Sequence, residues 1–233
     1  MNPKENINFE IHRKDKKQIY TLILLILLLC SKSFAQRDYE KSFYGGLFYI
    51  TDYITSQEFV DLQTTITDLQ LVDSIYAKAL IFFEGDYSET FLCLTFASIP
   101  FNHIKFRLPV VGSQINIPLP SPGKSKFEAR TKNLPKYLFI DSQQNDFGDK
   151  DKLAHFFGNA FLSYNFGWFN FSKFMGIFVE KVEDGFFIEG QYDIKDLIIN
   201  NYGEAFGKAV KNNPDIKPSN ILKIYELKYL RLY

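Results

Sequence analysis

The fold class turns on ETFLCLTFASI, residues 89–99. The stretch is nearly continuously apolar, and that texture reads as a buried strand. Next comes HIKFRLPV, 103–110, where Ile104, Phe106, Leu108 and Val110 alternate with Lys105 and Arg107. A period of two is the mark of a strand with one wet face. QINIPLP, 114–120, alternates Ile115, Ile117 and Leu119, while Pro109, Pro118 and Pro120 remove ladder donors and confine these segments to sheet edges or strand ends. Together the three stretches predict a small antiparallel sheet.

Upstream, Phe59, Leu62, Ile66, Leu69, Val72, Tyr76 and Leu80 advance by three and four, the spacing of an amphipathic helix over 55–80. Thr55 and Glu58 are placed as its capping box. Downstream, LPSPGKSKFEARTKNLP, 119–135, is rich in proline and charge and reads as a linker, and KYLFIDS, 136–142, as a short strand. From Asp149 the pattern turns helical over 150–165, 170–185, 194–211 and 219–231, with breakers at Gly167, DGFFIEGQ (184–191) and NNPDIKP (212–218). The expected fold class is α+β, with an N-terminal helix, a small antiparallel sheet and a C-terminal bundle of three to four helices. The expected organisation is a signal peptide at 1–35, an α/β region at 36–120, a linker and short strand at 121–148, and a helical region at 149–233.

The N-terminal segment reads as an export signal. Arg13, Lys14, Lys16 and Lys17 form a basic cluster, IYTLILLILLLC (19–30) is apolar, and SKSFAQ follows, with Ser33 and Ala35 as the small residues of a cleavage site. An uncleaved anchor would need ~20 apolar residues to span hydrocarbon, and 19–30 is shorter. A lipoprotein would use Cys30 as acceptor, but Leu29 stands where a small residue is wanted. Cleavage after Ala35 is expected, with the mature protein periplasmic or peripheral at the cell envelope.

Loss of 1–35 leaves 21 Lys and Arg against 24 Asp and Glu, a net charge of −3. No basic stripe survives for nucleic acid. Cys93 is then the only cysteine, which excludes an internal disulfide, and its apolar surroundings read as core filler. The chain has 25 Phe and 14 Tyr, apolar matter enough for a core and against wholesale disorder.

The polar residues of the C-terminal half form a pattern. In DKDKLAHFFGNAFLSY, 149–164, Asp151 and His155 are four apart and share a helix face. In FVEKVEDGFF, 178–187, Glu180 and Glu183 are three apart. In DIKDLIINNYGEAFGKAV, 193–210, Asp196, Asn200, Gly203 and Gly207 advance by four, three and four. A glycine inside a helix costs about 1 kcal/mol against alanine, and close helix approach is the usual compensation. A stripe turned inward would carry Asp196 and Asn200 to His155 and Glu180. Buried charge persists only when paired, hydrogen-bonded or metal-bound.

Asp-Lys-x-x-His-Phe (151–156), Glu-x-x-acid (180–183) and Asp-x-x-x-Asn-x-x-Gly-x-x-x-Gly (196–207) together resemble the VanZ-like family and a related group of small periplasmic lipoproteins of unknown function. The resemblance spans 149–210 and leaves 36–148 unexplained. That family sets its helices in the membrane and carries an arginine ahead of the Asp–Asn helix, where this chain has Gln191. Lys173, Lys181 and Glu180 interrupt any apolar span here, although Trp168 and its neighbouring Phe residues suit a bilayer interface. The resemblance implies a compartment, a site and a link to glycopeptide-antibiotic tolerance, but no reaction.

Two classes of function follow, beside a third reading in which the cluster is purely a folding core and the function lies in the strands. In the first, the chain is a non-enzymatic envelope protein that binds an envelope component or membrane surface without a cofactor. The cluster Asp151, His155, Glu180, Glu183, Asp196 and Asn200 then locks the bundle, and Gly203 and Gly207 let its helices close. In the second, His155, Glu180 and Asp196 hold a divalent metal that activates water against an envelope lipid or cell-wall phosphate or ester. No HExxH, Gly-x-Ser-x-Gly or phosphate-cradling glycine loop supports the second class.

Overall fold

The computed structural model describes residues 41–107, 114–167 and 194–229. In chain order these hold α1 (Phe43–Ile54), α2 (Gln57–Leu62), α3 (Asp68–Phe82), α4 (Tyr87–Ser98), a hairpin of β1 (His103–Arg107) and β2 (Gln114–Pro118), α5 (Lys124–Asn133), α6 (Lys150–Asn165), α7 (Ile194–Ala209) and α8 (Pro218–Leu222). A 3-10 segment, Lys223–Tyr229, follows α8. The fold is mostly helical, and the α+β expectation is wrong. The β structure of the described residues is one two-stranded hairpin that shares no extended contact with any helix, so no sheet layer lies in the core.

The error lies in residues 89–99. Asp86 accepts the Glu89 N–H at 3.0 Å and caps α4, which then buries Thr90, Phe91, Cys93, Leu94, Ala97 and Ser98. Those positions follow a helical period, but the intervening Leu92 and Phe96 are apolar too, so the sequence alternation that distinguishes helix from strand is erased. The Thr90 and Thr95 hydroxyls donate to the carbonyls of Asp86 and Phe91, at 2.6 and 2.7 Å, and so satisfy themselves inside the helix. Pro100 disfavours helical backbone at Ile99, where α4 stops. The buried Arg130 guanidinium of α5 donates to the Phe96 and Ile99 carbonyls at 3.2 and 2.7 Å, a cation at the negative end of the helix. Burial pushes its pKa down to about 10.

The expected helix over 55–80 divides in two. Ser56 rather than Thr55 caps α2, accepting the Phe59 N–H at 3.2 Å. Thr64 and Thr65 turn their hydroxyls back onto the Asp61 and Leu62 carbonyls, and the chain leaves the helix there. Thr67 restarts it as α3 with a complete capping box to Gln70. The β-branched run TTIT is the cause, because such residues lose rotamer freedom in a helix and threonine hydroxyls compete for its backbone groups.

Residues 121–148, expected as a linker and short strand, are built into the fold. They contain α5, and Leu134, Leu138 and Phe139 are buried. KYLFIDS is irregular backbone whose Lys136 and Tyr137 amides both donate to the Asp68 carboxylate. The expected helices at 150–165 and 194–211 are α6 and α7. That at 219–231 is α8 and the 3-10 segment as far as residue 229. The signal peptide, the 170–185 helix and with it Glu180 and Glu183 lie outside the described residues.

Phe91 of α4 centres the core. Its ring meets Tyr76 of α3, Tyr164 of α6 and Phe206 of α7, with centroids 6.3, 5.8 and 5.6 Å away, and Phe206 stacks on Phe156 at 5.3 Å. Aromatic contacts at these separations add to the burial of large apolar area. The described residues from 41 onward belong to one unit, Glu40–Tyr233. Within it α4 packs on both α1 and α6, so the two expected regions share one core.

Candidate functional site: the polar seam between two helices

The α7 stripe does face α6. A Cβ built on Gly203 would collide with the Phe156 carbonyl, and one on Gly207 with the Ala160 carbonyl and Ser163 Oγ. Only hydrogen fits at either position, and the two backbones touch there. One turn earlier, Asn159 Nδ2 donates to Asn200 Oδ1 at 2.7 Å and to the His155 carbonyl at 2.9 Å, and both amides are buried. At the start of the seam, Lys152 Nζ lies 2.6 Å from Asp196 Oδ1 and 3.0 Å from Asp151 Oδ2.

Residues 152, 159 and 160 of α6 meet 196, 200 and 207 of α7 in the same order, so the helices run parallel. Parallel neighbours bring like dipole ends together, and Asp151 and Asp196 in the two first turns offset the positive ends. Lys152 bridges the two carboxylates with its side chain only 8% exposed. Burial alone would lower its pKa, but the contacts with Asp196 and Asp151 outweigh burial and hold it above the usual lysine range.

His155 takes a different place from the one its sequence context suggested. Its side chain is 45% exposed, and Nε2 lies 3.9 Å from Asp196 Oδ1, an ion pair only when protonated. The imidazole marks the rim of the seam, because residue 155 sits about a fifth of a turn away from the centre of the face that buries Lys152, Phe156 and Asn159. Of the expected cluster, Asp151, His155, Asp196 and Asn200 lie along one seam, in two groups. Asp151, His155 and Asp196 gather around Lys152, and Asn200 pairs with Asn159 one turn on.

Sequence reasoning passed over Lys152 and Asn159. Asp149-Lys150-Asp151-Lys152 resembles a solvated helix start, yet Asp149, Lys150 and Lys152 are all buried. Lys152, Asn159 and Ser163 are spaced by seven and four, a stripe on α6 that mirrors the one on α7, and that signal was available. Burial pushes the Asp149 carboxyl up, partly offset by the Ser142 hydroxyl that donates to it and by Lys195. Lys195 Nζ is 3.0 Å from Asp141 Oδ1, and Tyr225 donates to Asp141 Oδ2 at 2.9 Å. Burial likewise lowers Lys150, whose Nζ donates to the Lys132 carbonyl at 3.0 Å.

Gln143, Phe147, Gly148, Asp149, Asp151, Lys152 and Lys195 line an open cleft of about 310 Å³ beside the seam. Both of its ammonium groups are ion-paired. Among the described residues no group of three or more His, Cys, Asp and Glu is placed to hold a metal. His155 and Asp196 alone make a poor cation site, since the Lys152 ammonium already stands against the Asp196 oxygen a metal would need. No described helix is long and apolar enough to cross a membrane. Compared with protein-family models, curated proteins and solved structures, the chain matches none.

Proposed function

We propose that this chain is an exported cell-envelope protein of VanZ-like character with a non-catalytic role, binding an envelope component or the membrane surface. In this reading the polar seam is a lock that holds α6 on α7. The observation that carries it is the pairing of Lys152 with Asp196 at 2.6 Å. A lysine held charged by two carboxylates is neither a base nor a nucleophile, and it neutralises the acid a metal would require. The VanZ-like assignment is supported by the first and third parts of its motif meeting along one seam. Export is supported by the basic, apolar and small-residue succession of 1–35.

Two measurements test the reading. Expressed at full length in a bacterial host, the chain should be recovered outside the cytoplasm with its N-terminus at Gln36. A cytoplasmic chain retaining residue 1 would sink the export reading. Asp196→Ala should lower stability by about 2 kcal/mol, less than for a fully buried pair because Asp196 keeps some solvent, whereas Lys152→Met with Asp196→Leu should recover most of the loss. Stoichiometric metal in the purified protein, lost in both His155→Ala and Asp196→Ala, would instead favour a metal-dependent hydrolase built on His155, Glu180 and Asp196.

A further inference from the structure

Beside the seam, the open cleft is lined by both signs of charge. Asp149, Asp151, Lys152 and Lys195 supply two carboxylates and two ammonium groups, and Gln143 adds an amide. Asp151 is the most exposed of the four charged side chains at 26%, so charges interact there with less screening than on an open surface. Phe147, half-exposed, is the one large apolar residue of the lining. At about 310 Å³ the cleft lies at the small end of ligand sites, which run from roughly 300 to 1,000 Å³.

The pairing around the cleft admits one kind of ligand without stranding a charge. Lys152 Nζ stands 3.0 Å from Asp151 Oδ2, and both residues line the cleft. Asp196, 2.6 Å from Lys152, and Asp141, 3.0 Å from Lys195, hold the two lysines from outside the lining. A lone cation that takes Asp151 must displace Lys152, and a lone anion that takes Lys152 must displace Asp151. Either exchange leaves a little-exposed charge short of a partner. A ligand that carries both charges replaces both lost contacts, its ammonium standing in for Lys152 on Asp151 and its carboxylate for Asp151 on Lys152. The nitrogen and carboxylate oxygens of an α-amino acid lie about 3 Å apart by covalent geometry, which matches the Lys152–Asp151 spacing. Lys195 adds a second positive charge to the lining.

We propose that this cleft binds a small zwitterion, an α-amino acid with an apolar side chain, its ammonium on Asp151, its carboxylate on Lys152 and its side chain against Phe147. This goes beyond the envelope reading by naming a small ligand and the place that holds it. The test is a ligand-observed NMR titration of the full chain with racemic phenylalanine, 2-phenylethylamine and 3-phenylpropionate. The three share one ring and differ in charge, so contact with apolar surface elsewhere is common to all. Phenylalanine should bind about tenfold more tightly than either single-charge compound, the effect of one charge-assisted hydrogen bond. Asp151→Asn should remove that advantage, and the variant should stay folded because Lys152 keeps Asp196. Phe147→Ala, a change at a half-exposed ring, should weaken phenylalanine about fivefold.

No binding of phenylalanine, or a single-charge compound that binds as tightly, would overturn the proposal. So would unchanged phenylalanine affinity in either variant, because the ligand would then sit elsewhere. Failure here leaves processing at Ala35 untouched, and a failure of processing leaves the titration standing, so the two readings fall separately.

Discussion

Gly203 and Gly207 show how much a single hydrogen atom decides. Each stands where a methyl group would enter a carbonyl of α6, so Gly203→Ala and Gly207→Ala should each destabilise the protein by about 2 kcal/mol, overpacking outweighing the helix propensity that alanine adds. Gly158 provides the contrast. A Cβ there would lie 3.5 Å from Thr95 Cγ2, an ordinary contact, so Gly158→Ala should be neutral or stabilising by up to about 1 kcal/mol. Urea denaturation midpoints of the three variants give the comparison, and equal effects at all three positions would contradict the close approach. The glycine stripe was legible in the sequence because its cost demanded a reason. Lys152 shares a stripe with Asn159 and Ser163, but a lysine beside aspartates at a helix start is usually hydrated, and its ion-paired burial depends on Asp196 arriving from a distant segment.

The start of α6 is an element held by its neighbours more than by itself. Asp149 stands at the N-cap, but its carboxylate makes no capping bond. It accepts from Ser142 instead, and its amide donates to the Lys136 carbonyl at 2.8 Å, tying the helix to the 136–142 segment. Burial raises its pKa above the ordinary 3.8, so the native state keeps this proton to higher pH than the unfolded chain does. The stabilisation of the protonated form is present below the ordinary carboxylate range and is lost as pH rises through the raised value. Stability of the wild type measured against pH should therefore fall across that window relative to Asp149→Asn, in which the slope disappears. Parallel curves would show that Asp149 titrates normally. At this scale the sequence located α6 and α7 closely, since amphipathic periodicity with charged ends survives in any context. It misread α4, since Leu92 and Phe96 make its less buried face apolar as well and hide the helical period, and it joined α2 to α3, since threonine caps and threonine interruptions look alike until the backbone is traced.

For the whole molecule, the shared core makes a prediction of its own. Because α4 packs on both α1 and α6, and Phe91 meets rings from α3, α6 and α7, the described unit should unfold in one cooperative transition. Circular dichroism and tyrosine fluorescence should give the same midpoint, and a calorimetric trace with two separated peaks would restore the division at 121–148 that composition suggested. By itself the sequence determined that 150–165 and 194–211 are helical and that their facing sides carry acid, amide and glycine, because these follow from periodicity and local backbone cost. Only the tertiary structure decided that residues 89–99 are helix, that His155 lies at a rim while Lys152 lies inside, and that 121–148 belongs to the core. Those outcomes depend on which distant groups arrive to share burial and charge, and no local pattern encodes the distance between segments.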